Sequence, residues 1–102
     1  MGQGRGATDA ARPVSLQFSE RALGDLVRLR AFIAERDPAA AERITGRLLE
    51  SLRALAEQPF SGRSLEDVPV RQWVAGDYVA RYVVRGDDEV VVVRIWHTRE
   101  AR

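Results

Sequence analysis

Val70-Arg71-Gln72-Trp73-Val74-Ala75-Gly76-Asp77-Tyr78-Val79-Ala80-Arg81-Tyr82-Val83-Val84-Arg85-Gly86-Asp87-Asp88-Glu89-Val90-Val91-Val92-Val93-Arg94-Ile95-Trp96-His97 is the stretch whose reading decides the fold. β-Branched and aromatic residues fill three runs, Val70 to Ala75, Tyr78 to Val84 and Glu89 to His97, and such residues suit a pleated, half-buried surface. Gly76-Asp77 and Arg85-Gly86-Asp87-Asp88 separate the runs, and short glycine-bearing connections of this kind join antiparallel strands. A turn centred on Gly86-Asp87 predicts Val84 opposite Glu89, Tyr82 opposite Val91, Ala80 opposite Val93 and Tyr78 opposite Ile95. That register makes one face almost wholly apolar. It leaves Val79, Arg81 and Val83 beside Val90, Val92, Arg94 and Trp96 on the other, with Trp73 opposite Ala80 on the apolar side.

Working towards the N-terminus, Pro59 to Pro69 holds two prolines, a glycine and two serines and reads as a connecting loop. Before it, Ala41, Ile44, Leu48, Leu52 and Leu55 recur at helical spacing, and Asp37-Pro38 offers a cap followed by a proline at the first helical position. Gly46 within that helix is expected to permit close helix approach. An earlier helix, about residues 20 to 36, has Ser19 as its N-cap and Ala22, Leu23, Leu26, Val27, Leu29 and Ile33 as its apolar stripe. With almost no linker between them, the two helices fold back as a hairpin. Val14, Leu16 and Phe18 alternate with Ser15 and Gln17 as a first strand. The expected architecture is α+β, in the order β-α-α-β-β-β, with the helical hairpin on one face of a mainly antiparallel sheet. Residues 1–13 read as a flexible leader and 14–102 as the domain; translation from near Val14 is a hypothesis that N-terminal sequencing of native protein beginning at Met1 would remove.

A chain of 102 residues encloses a single core, and 45% hydrophobic with 30% charged residues offset its ordering entropy. The absence of cysteine excludes disulfides, thiolate metal sites and a thiol nucleophile. No apolar run of signal-peptide or membrane-spanning kind is present, which points to the cytoplasm and away from a membrane. Sixteen basic against fifteen acidic residues lack the global field of a duplex-binding domain, so any nucleic-acid contact is local. Every basic residue is arginine, and helix-surface arginines such as Arg28, Arg36 and Arg53 read as solvated charges. Metal-ligand spacing, a glycine-rich phosphate loop and a serine triad are all missing, and no cofactor is expected.

Two groups of residues carry the chemistry. His97, the single histidine, stands where the last strand runs out, and there it could pass protons during RNA cleavage while arginines hold the developing phosphorane charge. Arg81, Arg94 and Arg99 fall on or just past the open face, with Trp96 beside them. Forked guanidinium donors and a flat ring suit RNA or an acidic protein segment; the same residues also suit a plain exposed face whose arginine stems shield its valines. Tyr78 and Tyr82 read as core.

The strand ending in Phe18-Ser19, the junction Glu35-Arg36-Asp37-Pro38-Ala39-Ala40-Ala41, the loop Pro59-Phe60-Ser61-Gly62-Arg63 and the segments Val74 to Tyr82 and Val93 to Glu100 together resemble the RelE/ParE toxins of bacterial toxin–antitoxin systems. The resemblance spans about residues 14 to 100 and implies a toxin neutralised by a cognate antitoxin whose C-terminal segment wraps its partner. RelE-like members cut messenger RNA on the ribosome with basic residues of the later strands. ParE-like members poison DNA gyrase and have no known hydrolytic site. The absence of lysine, Val79 where RelE-like nucleases carry arginine, and the helical junction and Pro-Phe-Ser-Gly-Arg loop favour the ParE-like branch. A gyrase-directed toxin implies partner binding by Arg81, Arg94, Trp96 and Arg99; the alternative, a ribosome-dependent endonuclease, implies catalysis by His97, Arg81 and Arg94. Neither implies a metal or a small-molecule cofactor.

Overall fold

The computed structural model describes residues 15–100, so the leader and Val14 lie outside the described residues. Strand β1, Ser15–Phe18, leads directly into helix α1, Glu20–Arg36. Ser19 joins the two: its Oγ accepts from Ala22 N at 3.0 Å as an N-cap, and its own N–H donates to Val92 O at 2.9 Å. At the far end Asp37 Oδ1 accepts from Ala40 N at 3.2 Å over a 3₁₀ turn, Pro38–Ala40, that runs straight into helix α2, Ala41–Ala56. The expected cap and helical hairpin are both present. Gly46 does not mediate close approach, since a Cβ added there would meet nothing within 4 Å.

α1 is turned relative to the stripe expected from its apolar residues. Ala22, Asp25, Leu29 and Ile33 face inward, while Leu23 and Val27 are 50% and 73% exposed. An acid occupies a core position, and the apolar residues beside it are displaced to the surface. α2 buries Ala41, Leu48, Leu52 and Leu55 of its stripe, leaves Ile44 half-buried and adds Ala56.

The loop after α2 contains a two-residue strand, β2 (Arg63–Ser64), and the chain then makes β3 (Arg71–Ala75), β4 (Tyr78–Arg85) and β5 (Glu89–His97). The five strands lie in the order β1-β5-β4-β3-β2, with β1 parallel to β5 and the other pairs antiparallel. Gly76 and Gly86 open the two hairpin turns at φ near +60°, a conformation side-chain-bearing residues resist.

The expected register of the last hairpin is corrected twice. The turn is a three-residue loop with Arg85 opposite Glu89, so Val84 meets Val90 and Tyr82 meets Val92. Val90 and Val92 are therefore fully buried in place of Val91 and Val93. Between Val92 and Arg94 a bulge inserts Val93, which restores the original parity. Ile95 then faces the helices opposite Ala80, and Arg94 and Trp96 pair with Arg81 and Val79. Trp73 opposes Ala80 and packs against the core as expected.

Leu29, Leu52, Tyr82 and Ile95 form the centre of the core, each fully buried side chain contributing about 1.5–3 kcal/mol. The Tyr82 hydroxyl donates to Pro59 O at 2.8 Å and accepts from Gly62 N at 2.9 Å, which fastens the Pro59–Gly62 loop to the sheet. Only glycine fits at position 62: an added Cβ would lie 2.8 Å from Tyr82 Cε1 and closer still to its oxygen. Arg71 completes the seat, donating to Gly62 O at 2.6 Å with its guanidinium over the Phe60 ring.

Candidate functional site

The residues singled out from the sequence fall into three places. On the outer face of the sheet, Arg81 Nε donates to Gln72 Oε1 at 3.0 Å and the guanidinium carbon lies 5.3 Å from the centroid of the Trp96 ring. One edge of Arg81 is thus anchored, and its remaining donors stand at an exposed surface beside an aromatic plane. Val79, flanked across the strands by Val74 and Trp96, is only 7% exposed although it sits on this outer side.

His97 lies on the opposite side, at the end of the sheet nearest the C-terminal turn of α1. Its ring packs 5.2 Å from Phe32 and edge-on at 5.0 Å from Tyr78. Nδ1 accepts from Arg99 N at 3.0 Å, and Nε2 stands 3.9 Å from Asp77 Oδ2. Arg99 and His97 line a cavity of about 250 Å³ with Phe32, Ile33, Ile44 and Tyr78. Burial first, and then the negative charges of Asp77 and Glu100, push the Tyr78 hydroxyl above the ordinary tyrosine range.

Arg94 occupies a third environment. It pairs with Arg81 across the hairpin, yet its Nε donates to Asp25 Oδ2 of α1 at 3.0 Å. Among the described residues, β5 has no strand on its β1 side beyond Val92, because β1 ends at Phe18. Two helix side chains take over there: Asp25 Oδ2 accepts from Ile95 N at 2.8 Å, and Arg28 Nη2 donates to Ile95 O at 2.9 Å. Arg28 also pairs with Asp25 and reaches both carboxylate oxygens of Glu100, at 2.7 and 3.1 Å. Burial alone would raise the Asp25 carboxyl, but the Ile95 amide and the two guanidiniums outweigh it and hold it below the usual range. The Arg28 fork likewise lowers Glu100, and Glu100 raises Arg28 in return.

Arg28, its side chain still 41% exposed, is nonetheless held by Asp25, Ile95 O and Glu100, and this network is absent from the sequence reading. The signal was available. Asp25 sits at helical spacing among Ala22, Leu29 and Ile33, an acid at a core position that needs cationic partners, with Arg28 one turn on.

Among the described residues no group of three or more His, Asp or Glu could hold a metal ion, and no helix is long and apolar enough to cross a membrane. A family model described as the ParE toxin of the type II toxin–antitoxin system parDE matches residues 16–102. The chain belongs to the ParE toxin family. It is a toxin of a type II toxin–antitoxin system within the RelE/ParE superfamily. Among curated relatives it is 40% identical over 90 residues to Toxin RelE1 of Caulobacter vibrioides, covering 82% of this chain and 92% of that protein. Toxin RelE2 of the same organism is 42% identical over 78 residues, covering 76% and 86%. Two solved structures share the fold of this ParE-family chain. The chromosomal ParDE system from P. aeruginosa superposes with a TM-score of 0.72 at 22% identity, covering 84% of this chain and 97% of that one. The RelBE2 toxin–antitoxin complex from Mycobacterium tuberculosis gives 0.65 at 24% identity, covering 83% and 98%.

Proposed function

We propose that this ParE-family toxin acts by binding and not by cutting: it arrests growth by inhibiting DNA gyrase in the cytoplasm and is kept inactive by a cognate antitoxin. The observation that carries this reading is the division of the would-be nuclease residues. Cleavage of a phosphodiester needs an acid or base and a cationic clamp within hydrogen-bond reach of one phosphate. Arg81 stands on the outer face against Trp96, His97 on the other side against Phe32, and Arg94 is engaged by Asp25; of the arginines singled out only Arg99 shares the His97 cavity, where Asp37 and Asp77 offset the arginine charge. What remains on the outer face, a guanidinium beside an indole, is a pairing enriched at the energetic centres of protein interfaces. Gyrase as the target draws support from the match to the ParE family model and from Val79 in place of a basic residue. An antitoxin partner draws support from the two structural neighbours, a ParDE toxin–antitoxin system and a RelBE2 toxin–antitoxin complex.

The RelE names of the curated relatives favour a second reading, a ribosome-dependent messenger RNA endonuclease using His97, Arg81 and Arg94. Induction of the chain separates the two. Gyrase-dependent DNA breaks with intact transcripts are expected, and loss of the breaks in Arg81→Ala or Trp96→Ala would tie them to the outer face. Codon-positioned transcript cleavage with unaffected supercoiling overturns the gyrase reading.

A further inference from the structure

The segment Thr98-Arg99-Glu100, which follows β5, is held by main-chain and side-chain bonds at all three positions. Thr98 N donates to Asp77 O at 2.8 Å and Glu100 N to His97 O at 3.0 Å. The Glu100 carboxylate accepts from His97 N at 2.9 Å and takes the Arg28 fork on both oxygens. Arg28 is itself fixed from α1 by Asp25 and from β5 by Ile95 O. A planar, bidentate pair fixes orientation as well as distance, which a lysine in place of Arg28 could not do.

This anchoring determines what His97 presents. With Arg99 N–H donating to Nδ1 at 3.0 Å, the neutral ring carries its proton on Nε2. Nε2 has Asp77 Oδ2 at 3.9 Å, too far for a hydrogen bond, and both residues line the cavity. The Arg99 amide can hold that tautomer only while the turn is in place.

We propose that Arg28 and Glu100 are positioning residues of the toxin: together they lock the C-terminal turn so that the Nε2–H of His97 and the side chain of Arg99 face one cavity. That cavity receives a side chain of the gyrase target, and the inference rests on the reading that the toxin acts by binding that protein. The chemistry of the cavity limits what enters. Phe32, Ile33, Ile44 and Tyr78 give it apolar walls, and the charges of Arg36 and Arg99 are offset by Asp37 and Asp77. An uncharged apolar side chain carrying a hydrogen-bond acceptor fits this lining better than a phosphate, which needs an excess of positive charge.

The test compares the full chain with Glu100→Ala, Glu100→Gln and Arg28→Lys, reading two quantities. Nitrogen-15 spectra of the labelled imidazole, at a pH where the ring is neutral, report the tautomer; titration of inducer reports growth arrest. In Glu100→Ala the Nε2–H tautomer is expected to give way to a mixture. The inducer needed for arrest rises about tenfold, the change produced when binding loses about 1.4 kcal/mol. Glu100→Gln, which keeps an acceptor for His97 N, falls between parent and Glu100→Ala in both readouts and serves if the alanine variant does not fold. Arg28→Lys, which keeps the charge without the fork, follows the alanine variant. An unchanged tautomer overturns the positioning role, even if toxicity falls. A changed tautomer with undiminished arrest overturns the functional part of the proposal, since the cavity would then lie outside the toxic surface. Absence of arrest by the parent chain defeats the proposed function instead, and the tautomer still decides whether Glu100 positions His97.

Discussion

Two polar clusters close gaps in this molecule, and they are built from different chemistry. On the β3 side, the Tyr82 hydroxyl and Arg71 fasten the Pro59–Gly62 loop through main-chain groups, with no carboxylate taking part. On the free edge of β5, Asp25 and Glu100 bind Arg28, Arg94 and the backbone of Ile95 and His97. The first seats a loop whose shape depends on one missing Cβ; the second bonds the length of β5 that β1 does not reach. Desolvation raises the Tyr82 hydroxyl above its ordinary range, partly offset by the Gly62 amide and Arg71, whereas Asp25 and Glu100 are both lowered. A raised folded-state tyrosine contributes stability that is lost as pH climbs past about 10. Lowered carboxyls contribute stability present above about pH 5 and lost as pH falls through their folded-state values. Acid is therefore expected to loosen the β5 edge first, and alkali the loop together with the Tyr78 end of β4, whose hydroxyl is raised as well. Hydrogen exchange of the Ile95 and Gly62 amides, followed from about pH 5 downward and pH 9 upward, checks this. Simultaneous release of both amides at either extreme would show that the clusters are one cooperative unit.

The largest single effect is expected at the ionic cluster. Asp25→Ala leaves Arg28 and Arg94 without their buried carboxylate and Ile95 N without an acceptor, at a cost of about 3–5 kcal/mol. Thermal denaturation should show Tm lowered by about 15 °C or more. Next comes Gly62→Ala, where the new methyl group meets the Tyr82 ring and hydroxyl and costs about 2 kcal/mol. Tyr82→Phe removes the bonds to Pro59 and Gly62 for about 1–2 kcal/mol. These two are expected to be coupled: without the hydroxyl, the alanine methyl loses its nearest obstacle, so the double variant should be more stable than the sum of the single losses implies. Strict additivity in denaturant titrations would show that the loop shifts away from Tyr82 altogether.

The contrast between the clusters also explains how far the sequence could be read. The loop lock was partly legible, because Pro59-Phe60-Ser61-Gly62-Arg63 stood out as a unit and Tyr82 was placed in the core by strand alternation. The helical hairpin and the inward placement of Tyr82 and Ile95 were legible for the same reason: local periodicity reports burial directly. What periodicity does not report is a one-residue change in turn length followed by a bulge, and that pair of errors exchanged Val90 and Val92 for Val91 and Val93 while leaving Ile95 correctly placed. Nor does it report ion pairs between residues about seventy positions apart. Arg28 and Glu100 meet because α1 runs beside an edge that β1 is too short to cover, a consequence of strand length and topology. Hence alternation places Arg81, Arg94 and His97 on the last two strands and Arg99 just past them, but does not report that they belong to separate surfaces, with Arg99 in the cavity beside His97 and not at the open face.

The smallest expected effect sharpens the same contrast, because it tests which way α1 is turned. Taken by apolar pattern alone, Val27 belongs to the buried stripe, and polar replacement of a buried valine would cost about 1.5 kcal/mol or more. In the fold the Asp25 carboxylate is drawn to Ile95 N, positions 22, 25, 29 and 33 follow it inward, and Val27 is left 73% exposed. Val27→Gln is then expected to change stability by no more than about 0.5 kcal/mol, since nothing buried is lost and glutamine suits a helix at least as well as valine. Leu29→Ala, on the buried face of the same helix, should by comparison cost about 2–5 kcal/mol. If thermal denaturation ranks the two substitutions equally, α1 is not held in the rotation that Asp25 imposes, and the helix side chains no longer serve as the missing edge of β5.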